Sequence, residues 1–257
     1  MAKLFVISDV HGFYDEMKSA LDKAGFDENN PEHWVVGLGD YVDRGPDPLK
    51  VIKYLHNLPR KVLVRGNHER LLEDCCYRGQ AYSHDISNGT ADTIWDIAFG
   101  CSPDFAEMCD YTLRRTKPFR DSMANYLETK NYILVHSWIP VINKDGLPAH
   151  YTRGRSFDFN PDWRNASQEE WDDATWGNPF DMAARGLLPD KTVVFGHWHC
   201  STGWADAEGR SEFGPDAKFD PYYGDGFIAI DACTAHTHKV NVLVLEDEFL
   251  EDSHEDE

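Results

Sequence analysis

Eight side chains with oxygen or imidazole nitrogen atoms follow short apolar runs in this sequence: Asp9, His11, Asp40, Asn67, His68, His136, His197 and His199. Hard oxygen and imidazole ligands suit Mn, Fe, Zn, Ni or Co, and such a site needs no thiolate. A single ion does not use this many ligands, whereas two ions bridged by one carboxylate do, and Asp40, central in the order of the motifs, is the natural bridge. Two neighbouring metals can activate a shared water and clamp the attacking and leaving oxygens of an in-line displacement. The chemistry indicated is hydrolysis at phosphorus.

The segment 37–45 organises the rest of the chain. Residues 34–36 are apolar and lead directly into it, a pattern typical of a buried strand in a parallel sheet. Asp40 is therefore expected where this strand ends, at the sheet edge where α/β proteins bind ligands. Asp43 and Arg44 follow within the same turn. Two carboxylates beside a guanidinium indicate a metal-binding point next to a fork for phosphate oxygens.

Repeated strand–turn–helix units must position these side chains. The patterns predict strands at 3–8, 34–38 and 61–64, and amphipathic helices at 13–24 and 48–57. Each strand ends in a turn that carries Asp, His or Asn. Because the strands of such units are parallel, the three turns should lie on one edge of one sheet.

A long helical stretch follows the third unit. Residues 70–128 favour helix, with breaks expected at 87–89 and at 100–103. The part from about 75–128 is expected to form a cap or insert over the site. It is not expected to be a separate domain, so the prediction is one domain over 1–257.

The second half of the chain contains weaker signals. Strands are predicted at 131–135 and 191–195, and residues 143–190 look irregular because they are rich in Pro, Gly, Asp and Trp. The apolar runs at 227–230 and 240–245 are predicted to be a closing pair of strands.

Composition excludes some classes of protein. The 45 acidic and 25 basic residues give a formal net charge of -20, part of it at 246–257, which is expected to be a solvated tail. So acidic a chain is not expected to hold nucleic acid independently of sequence. Six cysteines without a C-x-x-C pair favour free thiols in a reducing compartment. We expect no signal peptide and no membrane span, which makes a cytoplasmic location the simplest expectation.

Three short motifs carry a family resemblance: Asp9-Val10-His11-Gly12, Gly39-Asp40-Tyr41-Val42-Asp43-Arg44-Gly45 and Gly66-Asn67-His68-Glu69. They resemble the signature motifs of the PPP-type (calcineurin-like) metallophosphoesterases, which include Ser/Thr protein phosphatases, small bacterial and phage protein phosphatases and diadenosine tetraphosphatases. With His136 and Gly196-His197, the resemblance extends over 5–245. It implies an α/β fold in which two mixed β-sheets form an αββα sandwich flanked by helices.

Two divalent metal ions are expected, with manganese first and Fe, Zn, Ni or Co as alternatives. The resemblance implies that one ion is held by Asp9, His11 and Asp40. It implies that the other is held by Asp40, Asn67, His136 and His197. The sequence Gly196-His197-Trp198-His199 is similar to the pattern of the wider superfamily, which would make His199 a further ligand of the first ion.

The resemblance also implies catalytic roles for residues between the metal ligands. His68, oriented by Asp43, would be the general acid that protonates the leaving group. Arg44 would bind the phosphate oxygens in a bidentate manner, and Asn67 would also contact the substrate. The nucleophile would be a hydroxide bridging the two metals, so no covalent phosphoenzyme is expected.

Some positions depart from the family pattern. Ser137-Trp138 follows His136 where Ala or Gly is common, and 231–233 read Asp-Ala-Cys where a Gly-containing turn is usual. The segment 175–179 lacks the downstream phosphate-binding Arg of the protein phosphatases. The residues that could replace it are Arg153, Arg155, Arg164 and Arg185.

These departures leave the substrate open. We favour phosphomonoesters, protein phosphoserine or phosphothreonine in particular, so the expected partner is a phosphoprotein or a small phosphoester. The alternative is a dinucleoside tetraphosphate, in which case a base would stack on Trp138 or Trp198. A further alternative is a non-catalytic binding module, against which the intact motif residues argue.

Overall fold

The computed structural model describes residues 2–145 and 155–250. The elements of the first half are, in chain order, β1 (Ala2–Ile7), α1 (Tyr14–Lys23), β2 (His33–Gly37), α2 (Pro48–Asn57), β3 (Lys61–Val64), α3 (Asn67–Arg78), α4 (Ser83–Asn88), α5 (Thr90–Ile97) and α6 (Phe105–Arg120). The elements that follow are β4 (Met123–Ala124), β5 (Tyr126–Glu128), β6 (Tyr132–Val135), β7 (Ile142–Asn143), β8 (Phe157–Asp158), a 3₁₀ turn (Trp163–Asn165), α7 (Gln168–Ala174), α8 (Pro179–Ala184), β9 (Thr192–Phe195), α9 (Cys200–Glu208), β10 (Tyr222–Gly224), β11 (Phe227–Ala229), α10 (Thr234–Thr237) and β12 (Leu243–Asp247).

The first sheet contains the three repeated strand–turn–helix units. Its strand order is β12-β1-β2-β3-β4, in which β1 to β4 run parallel and β12 is antiparallel to β1. The turns after β1, β2 and β3 therefore meet at the carboxyl edge of one sheet. The prediction that these three turns share an edge is confirmed.

The second sheet has the order β10-β11-β9-β6-β5, and its central strands β11, β9 and β6 are parallel. The predicted closing pair of strands at 227–230 and 240–245 is wrong. β11 pairs with β9 in the second sheet, whereas β12 pairs with β1 in the first. An apolar run indicates a strand but carries no information about its partner, so sequence order was misleading here. Two short strands, β7 and β8, form a separate ribbon.

Alternating side chains of the central strands divide the core into three layers. Leu4, Leu134 and Val194 belong to the cluster between the two sheets. Phe5, next to Leu4 on β1, points the other way and packs in the cluster that includes residues of α1, α2 and α6. Val193 belongs to the opposite cluster, beneath α7 and α8. Two mixed sheets flanked by helices on both outer faces confirm the predicted αββα sandwich.

The helical stretch after β3 is largely as predicted. The first expected break coincides with the junction of α4 and α5 at Gly89, and the second lies between α5 and α6. Helix is wrong for the end of the stretch, because 123–128 form β4 and β5, and β4 completes the first sheet against β3. The irregular prediction for 143–190 is also wrong in part, since this segment includes α7 and α8; its residues 146–154 lie outside the described part.

The predicted acidic tail begins inside the fold. Asp247 is the last residue of β12 and is buried, so the tail prediction is wrong for 246–247, while 251–257 lie outside the described residues. Along the described ranges, 2–145 and 155–250, no helix combines the length and apolar character needed to cross a membrane.

Candidate metal centre and active site

The turns that present the predicted site residues share an uncommon backbone conformation. Six non-glycine site residues have positive φ angles between 48° and 70°: Asp9, His11, Asp40, Asp43, Arg44 and His197. Such conformations cost free energy and persist only where the surroundings enforce them. Here the turns bond to one another, since the backbone N–H of His11 donates to the carbonyl of Asp40 at 2.8 Å. Backbone strain concentrated in turns from both sheets is typical of a functional site.

Asp40 divides its two carboxylate oxygens between two groups of histidines. Its Oδ1 lies 3.5 Å from Nε2 of His136, and its Oδ2 lies 3.7 Å from Nε2 of His11 and 3.9 Å from Nε2 of His68. The backbone N–H of His68 donates to Oδ1 at 2.9 Å and fixes the carboxylate. One carboxylate facing two clusters of nitrogen atoms has the geometry expected of a bridging ligand.

Two of these histidines are oriented by backbone carbonyls. Nδ1 of His11 lies 3.0 Å from the carbonyl oxygen of Val42, and Nδ1 of His136 lies 2.7 Å from that of Leu38. Because a carbonyl oxygen only accepts, each Nδ1 donates, which leaves the Nε2 lone pair directed into the site. A carbonyl that holds the second ring nitrogen is the usual outer support of a metal-binding histidine.

The contacts of His136 fit a metal ligand. Its Nε2 lies 2.8 Å from Oδ1 of Asn67 and 3.5 Å from Oδ1 of Asp40. A cation among these three atoms would bind the nitrogen lone pair and both oxygens.

Among the described residues, possible ligand atoms fall into two groups that share Asp40. One group is His11, Asp40 and His68, and the other is Asp40, His136 and His197. Burial, and the neighbouring charge of Glu69, raise the pKa of the Asp40 carboxyl well above its ordinary value, while burial lowers the pKa of His11 and His136. A divalent cation would reverse this penalty by stabilising the carboxylate and using the neutral imidazoles. The donor set therefore fits two divalent cations, one beside His11 and one beside His136, and does not require His68 as a ligand.

Asp9 and His199 lie differently with respect to these groups. Asp9 is buried beside Asp40, and its Oδ2 accepts the backbone N–H of His197 at 2.8 Å. Burial and the charge of Asp40 raise the pKa of Asp9. The structure does not bring His199 into either group, since its Nδ1 lies 2.8 Å from Oγ of Ser201 and its ring packs against Phe213.

A second set of contacts lies on the open side of the metal groups. Nδ1 of His68 lies 2.8 Å from Oδ2 of Asp43, and Arg44 approaches Nε2 of both His11 (2.8 Å) and His68 (3.1 Å). Burial raises the pKa of Asp43 to about 7, and burial and then Arg44 lower the pKa of His68. Arg44 is exposed and so can turn from these nitrogens towards an anion. The arrangement places a carboxylate-supported imidazole and a guanidinium beside the bridging carboxylate.

A family model described as calcineurin-like phosphoesterase matches residues 2–240. This chain belongs to the calcineurin-like phosphoesterase family. The match extends over nearly all of both sheets and includes every predicted metal ligand.

Sequence relatives of this phosphoesterase include proteins named symmetrical bis(5'-nucleosyl)-tetraphosphatase. One from Buchnera aphidicola subsp. Acyrthosiphon pisum (strain 5A) is 46% identical over 66 residues, which are 25% of this chain and 23% of the relative. One from Pseudomonas fluorescens (strain SBW25) is 34% identical over 138 residues, 53% of this chain and 43% of the relative. The chain thus spans less than half the length of these relatives.

The fold is also similar to that of solved structures. A cold-active protein tyrosine phosphatase from a psychrophilic Shewanella species superimposes with a TM-score of 0.53 at 17% identity. The superposition covers 96% of this chain and 76% of that enzyme. At this identity the likeness supports the fold alone.

Some residues that support the phosphoesterase site were identified from the sequence, and others were missed. Glu69, the last residue of the third motif, accepts the backbone N–H groups of Asp40 (3.0 Å), Tyr41 (2.8 Å) and Gly66 (2.9 Å). Thr90 and Thr93 were missed. Their hydroxyls donate to Oδ2 and Oδ1 of Asp43 at 2.6 Å and 2.9 Å. They stand 47 and 50 residues after Asp43, and no local pattern marks a threonine in the first turn of a helix as a partner of a distant turn.

Of the two tryptophans considered for base stacking, Trp138 does not lie in the pocket. It is 2% exposed, and its Nε1 donates to the carbonyl of Leu187 at 3.2 Å within the core cluster beneath α7 and α8. The stacking alternative at Trp138 is therefore wrong, because the strand end at His136 turns this indole into the core. Trp198 remains half-exposed, beside His197.

The candidates for a second phosphate-binding arginine have other partners. Arg164 forms two 2.7 Å hydrogen bonds with the carboxylate of Glu128. Arg185 donates to the carbonyl of Arg155 and to Asp181. Arg153 lies outside the described residues.

Proposed function

We propose that this phosphoesterase hydrolyses phosphoesters with two divalent cations, one held by Asp9, His11 and Asp40 and the other by Asp40, Asn67, His136 and His197. Arg44 and His68 would complete its active site. The observation that carries the proposal is the position of Asp40, whose two oxygens face separate groups of imidazole nitrogens. When bound, two such cations would lower the pKa of a water between them and withdraw charge from the phosphate oxygens.

The protein residues would divide the remaining work. Arg44 would turn to the phosphate and donate two parallel hydrogen bonds to its oxygens, neutralising charge that increases in the transition state. His68 would deliver a proton to the leaving oxygen from Nε2, while Asp43 holds its Nδ1. Asn67 lies beside His136 and would orient both a cation and the substrate.

For the substrate, we propose a dinucleoside tetraphosphate. Phosphoproteins were the first expectation and this class the second, but the relatives named tetraphosphatase favour the second. Among the described residues, Arg164 is engaged by Glu128, which weakens the argument for a second phosphoprotein-type arginine at that position. Manganese remains our first choice of metal, with Fe, Zn, Ni and Co as alternatives.

The test is metal reconstitution with three substrates. Metal-stripped protein would be supplied with Mn²⁺, Fe²⁺, Zn²⁺, Ni²⁺ or Co²⁺ and assayed on para-nitrophenyl phosphate, diadenosine tetraphosphate and a phosphoserine peptide. We expect added metal to restore hydrolysis of para-nitrophenyl phosphate and of diadenosine tetraphosphate, with the highest kcat/KM for diadenosine tetraphosphate. A higher kcat/KM for the phosphopeptide would contradict the substrate proposal but not the chemistry. Two bound ions without turnover of any substrate would favour a binding module.

A further inference from the structure

A pocket of about 210 Å³ opens beside the proposed metal centre. His11 and Arg44 are among its lining residues, so it adjoins the place where the reacting phosphate would be held. Trp198, Asp231 and Thr234 also line it. The volume is below the ~300 Å³ at which pockets for drug-sized ligands begin, so the pocket suits one small part of a substrate.

Asp231 directs an unused acceptor at this pocket. The residue is 6% exposed, and its Oδ1 accepts the backbone N–H of Cys233 at 2.6 Å. Its Oδ2 has no hydrogen-bond partner among the described residues. Cys233 has a φ of 54°, which closes the turn and holds the carboxylate in place. A carboxylate oxygen without a protein donor, in a residue that lines the pocket, can accept a hydrogen bond from a ligand or water.

Thr234 adds a second polar group without a partner in the same wall. Its side chain is 1% exposed, and its Oγ1 makes no hydrogen bond within the described residues. Trp198, in contrast, offers a half-exposed indole at the pocket wall.

These features select the chemistry of the occupant. The carboxylate of Asp231 disfavours another phosphate at this point and favours hydroxyl donors. The indole of Trp198 favours a flat ring that can stack on it. A sugar with adjacent hydroxyls, linked to an aromatic base and to a phosphate, satisfies both requirements.

We infer that this pocket binds the nucleoside of the substrate, with Asp231 and Thr234 receiving the 2′- and 3′-hydroxyls of the ribose and Trp198 stacking on the base. The inference rests on the proposed nucleotide substrate and assigns its recognition to residues outside the metal centre. It separates nucleotides from simple phosphomonoesters by contacts that para-nitrophenyl phosphate cannot make.

The experiment compares two ligands that differ only in the ribose hydroxyls. Equilibrium binding of ADP and of 2′,3′-dideoxy-ADP to the metal-loaded full chain would be measured by calorimetry, which requires no turnover. We expect the wild type to bind ADP about tenfold more tightly than the dideoxy analogue, as a hydrogen bond to a charged group implies. In Asp231→Asn the side chain keeps one oxygen, which would accept the backbone N–H of Cys233 as Oδ1 does in the wild type. The amide NH₂ would then take the place of Oδ2 at the pocket. We expect the preference for ADP to disappear.

Asp231 interacts electrostatically with the predicted metal ligand Asp9, so Asp231→Asn also changes the charge near that ligand. Thr234→Val tests the inference without any change of charge. We expect it to reduce the preference for ADP severalfold. Thr112→Val is the matched control, because Thr112 is also fully buried with an Oγ1 that has no partner among the described residues, but lies on α6. Thr112→Val should keep the wild-type ratio of the two affinities.

Trp198→Leu tests the stacking of the base. It should weaken the binding of both ADP and its dideoxy analogue while leaving the ratio of their affinities unchanged. Trp95→Leu, at an exposed position on α5, is the control and should change neither affinity.

Each contrary result has a distinct meaning. Equal binding of ADP and dideoxy-ADP by the wild type, or an unchanged ratio in both Asp231→Asn and Thr234→Val, would overturn the nucleoside pocket. Tighter binding of a lysine-containing phosphopeptide that Asp231→Asn abolishes would overturn it in favour of a basic side chain. Metal-restored hydrolysis of para-nitrophenyl phosphate, measured in parallel, reports separately on the proposed function.

Discussion

Asp40 is the residue on which both metal groups depend. Because each of its oxygens faces a different set of imidazole nitrogens, one neutral substitution alters both groups at once. Asn67 and His136 lie at the second group, so their removal should be less damaging.

Asp40→Asn should therefore lower the number of bound metal ions and reduce kcat/KM for para-nitrophenyl phosphate by at least about 100-fold. An amide is a weaker and uncharged ligand, and its nitrogen would face one set of imidazoles. Metal content by plasma mass spectrometry and steady-state kinetics would check both effects. Asp47→Asn is the control, since the Asp47 carboxylate pairs with the exposed Lys50 at the start of α2. Full metal content with normal turnover in Asp40→Asn would refute the bridging role.

The loss of kcat on removing His68 should be larger for leaving groups that need a proton to depart. His68→Ala should lower kcat by about 10²- to 10⁴-fold for an alkyl phosphate, the range for general acid catalysis. The loss should be smaller for para-nitrophenyl phosphate, whose leaving group is stable as an anion. A series of phenyl phosphates would give the dependence of kcat on leaving-group pKa, which should steepen in the variant. Equal losses across the series would remove His68 from proton transfer.

At the scale of elements, the helical stretch after β3 supports the turn that contains Asp43 and Arg44. The turn between α4 and α5 packs against it so closely that a Cβ on Gly89, whose φ is +85°, would lie 2.6 Å from the backbone nitrogen of Arg44. Thr90 and Thr93, at the start of α5, then bond to Asp43. These helices hold the carboxylate that orients His68, which gives the predicted insert a positioning role.

Thr93→Val should lower kcat by about three- to tenfold, the equivalent of one hydrogen bond, and leave KM and metal content unchanged. Thr93 Oγ1 both accepts from the backbone N–H of Asp43 and donates to its Oδ1, so its loss frees the carboxylate to rotate. Thr93→Ser keeps the hydroxyl and should recover most of the rate. A loss shared equally by Thr93→Ser and Thr93→Val would indicate packing as the cause.

At the scale of the whole molecule, the two sheets are joined beyond the shared core by Asp247. Its Oδ2 accepts from Oγ1 of Thr129 at 2.7 Å and from the backbone N–H of Asn131 at 2.9 Å, which connects β12 of the first sheet to the turn between β5 and β6 of the second. Burial raises the pKa of Asp247, but these hydrogen bonds outweigh burial and hold it below the ordinary value. Asp247, the second residue of the acidic stretch 246–257, thus stabilises the contact between the sheets.

Asp247→Asn should reduce the free energy of unfolding by about 2 kcal/mol at pH 7, the usual contribution of hydrogen bonds to a buried charged group. Because the pKa is lower in the folded state, the stabilisation is complete above the unfolded pKa of about 4 and is lost as pH falls through the folded pKa. Urea unfolding at pH 7 and pH 3 should show the difference from wild type shrinking at the lower pH. Glu246→Gln, an exposed change on the same strand, should have little effect at either pH. A pH-independent difference would mean that packing, not charge, is responsible.

The sequence by itself determined the three strand–turn–helix units of the first sheet and the clustering of the polar turns that follow their strands. Motifs such as Gly39 to Gly45 depend on local rules, since an apolar run predicts a strand and the polar turn after it must lie at the strand end. Parallel strands then bring the turns together whatever the rest of the chain does. This is why the convergence of the first three turns was predictable, whereas the approach of His136, which follows β6 in the second sheet, to Asp40 was implied only by the family resemblance.

Only the tertiary structure decided what depends on contacts between distant segments. The partners of β11 and β12, the burial of Trp138 and the bonds from Thr90 and Thr93 to Asp43 each join segments whose spacing in the sequence carries no periodic signal. Side-chain direction at a strand end also depends on which layer packs above it, so His199 could be recognised as part of a motif but not placed. Contacts between segments far apart in the chain form only when the whole core packs, and the sequence pattern of a single helix or strand does not specify them.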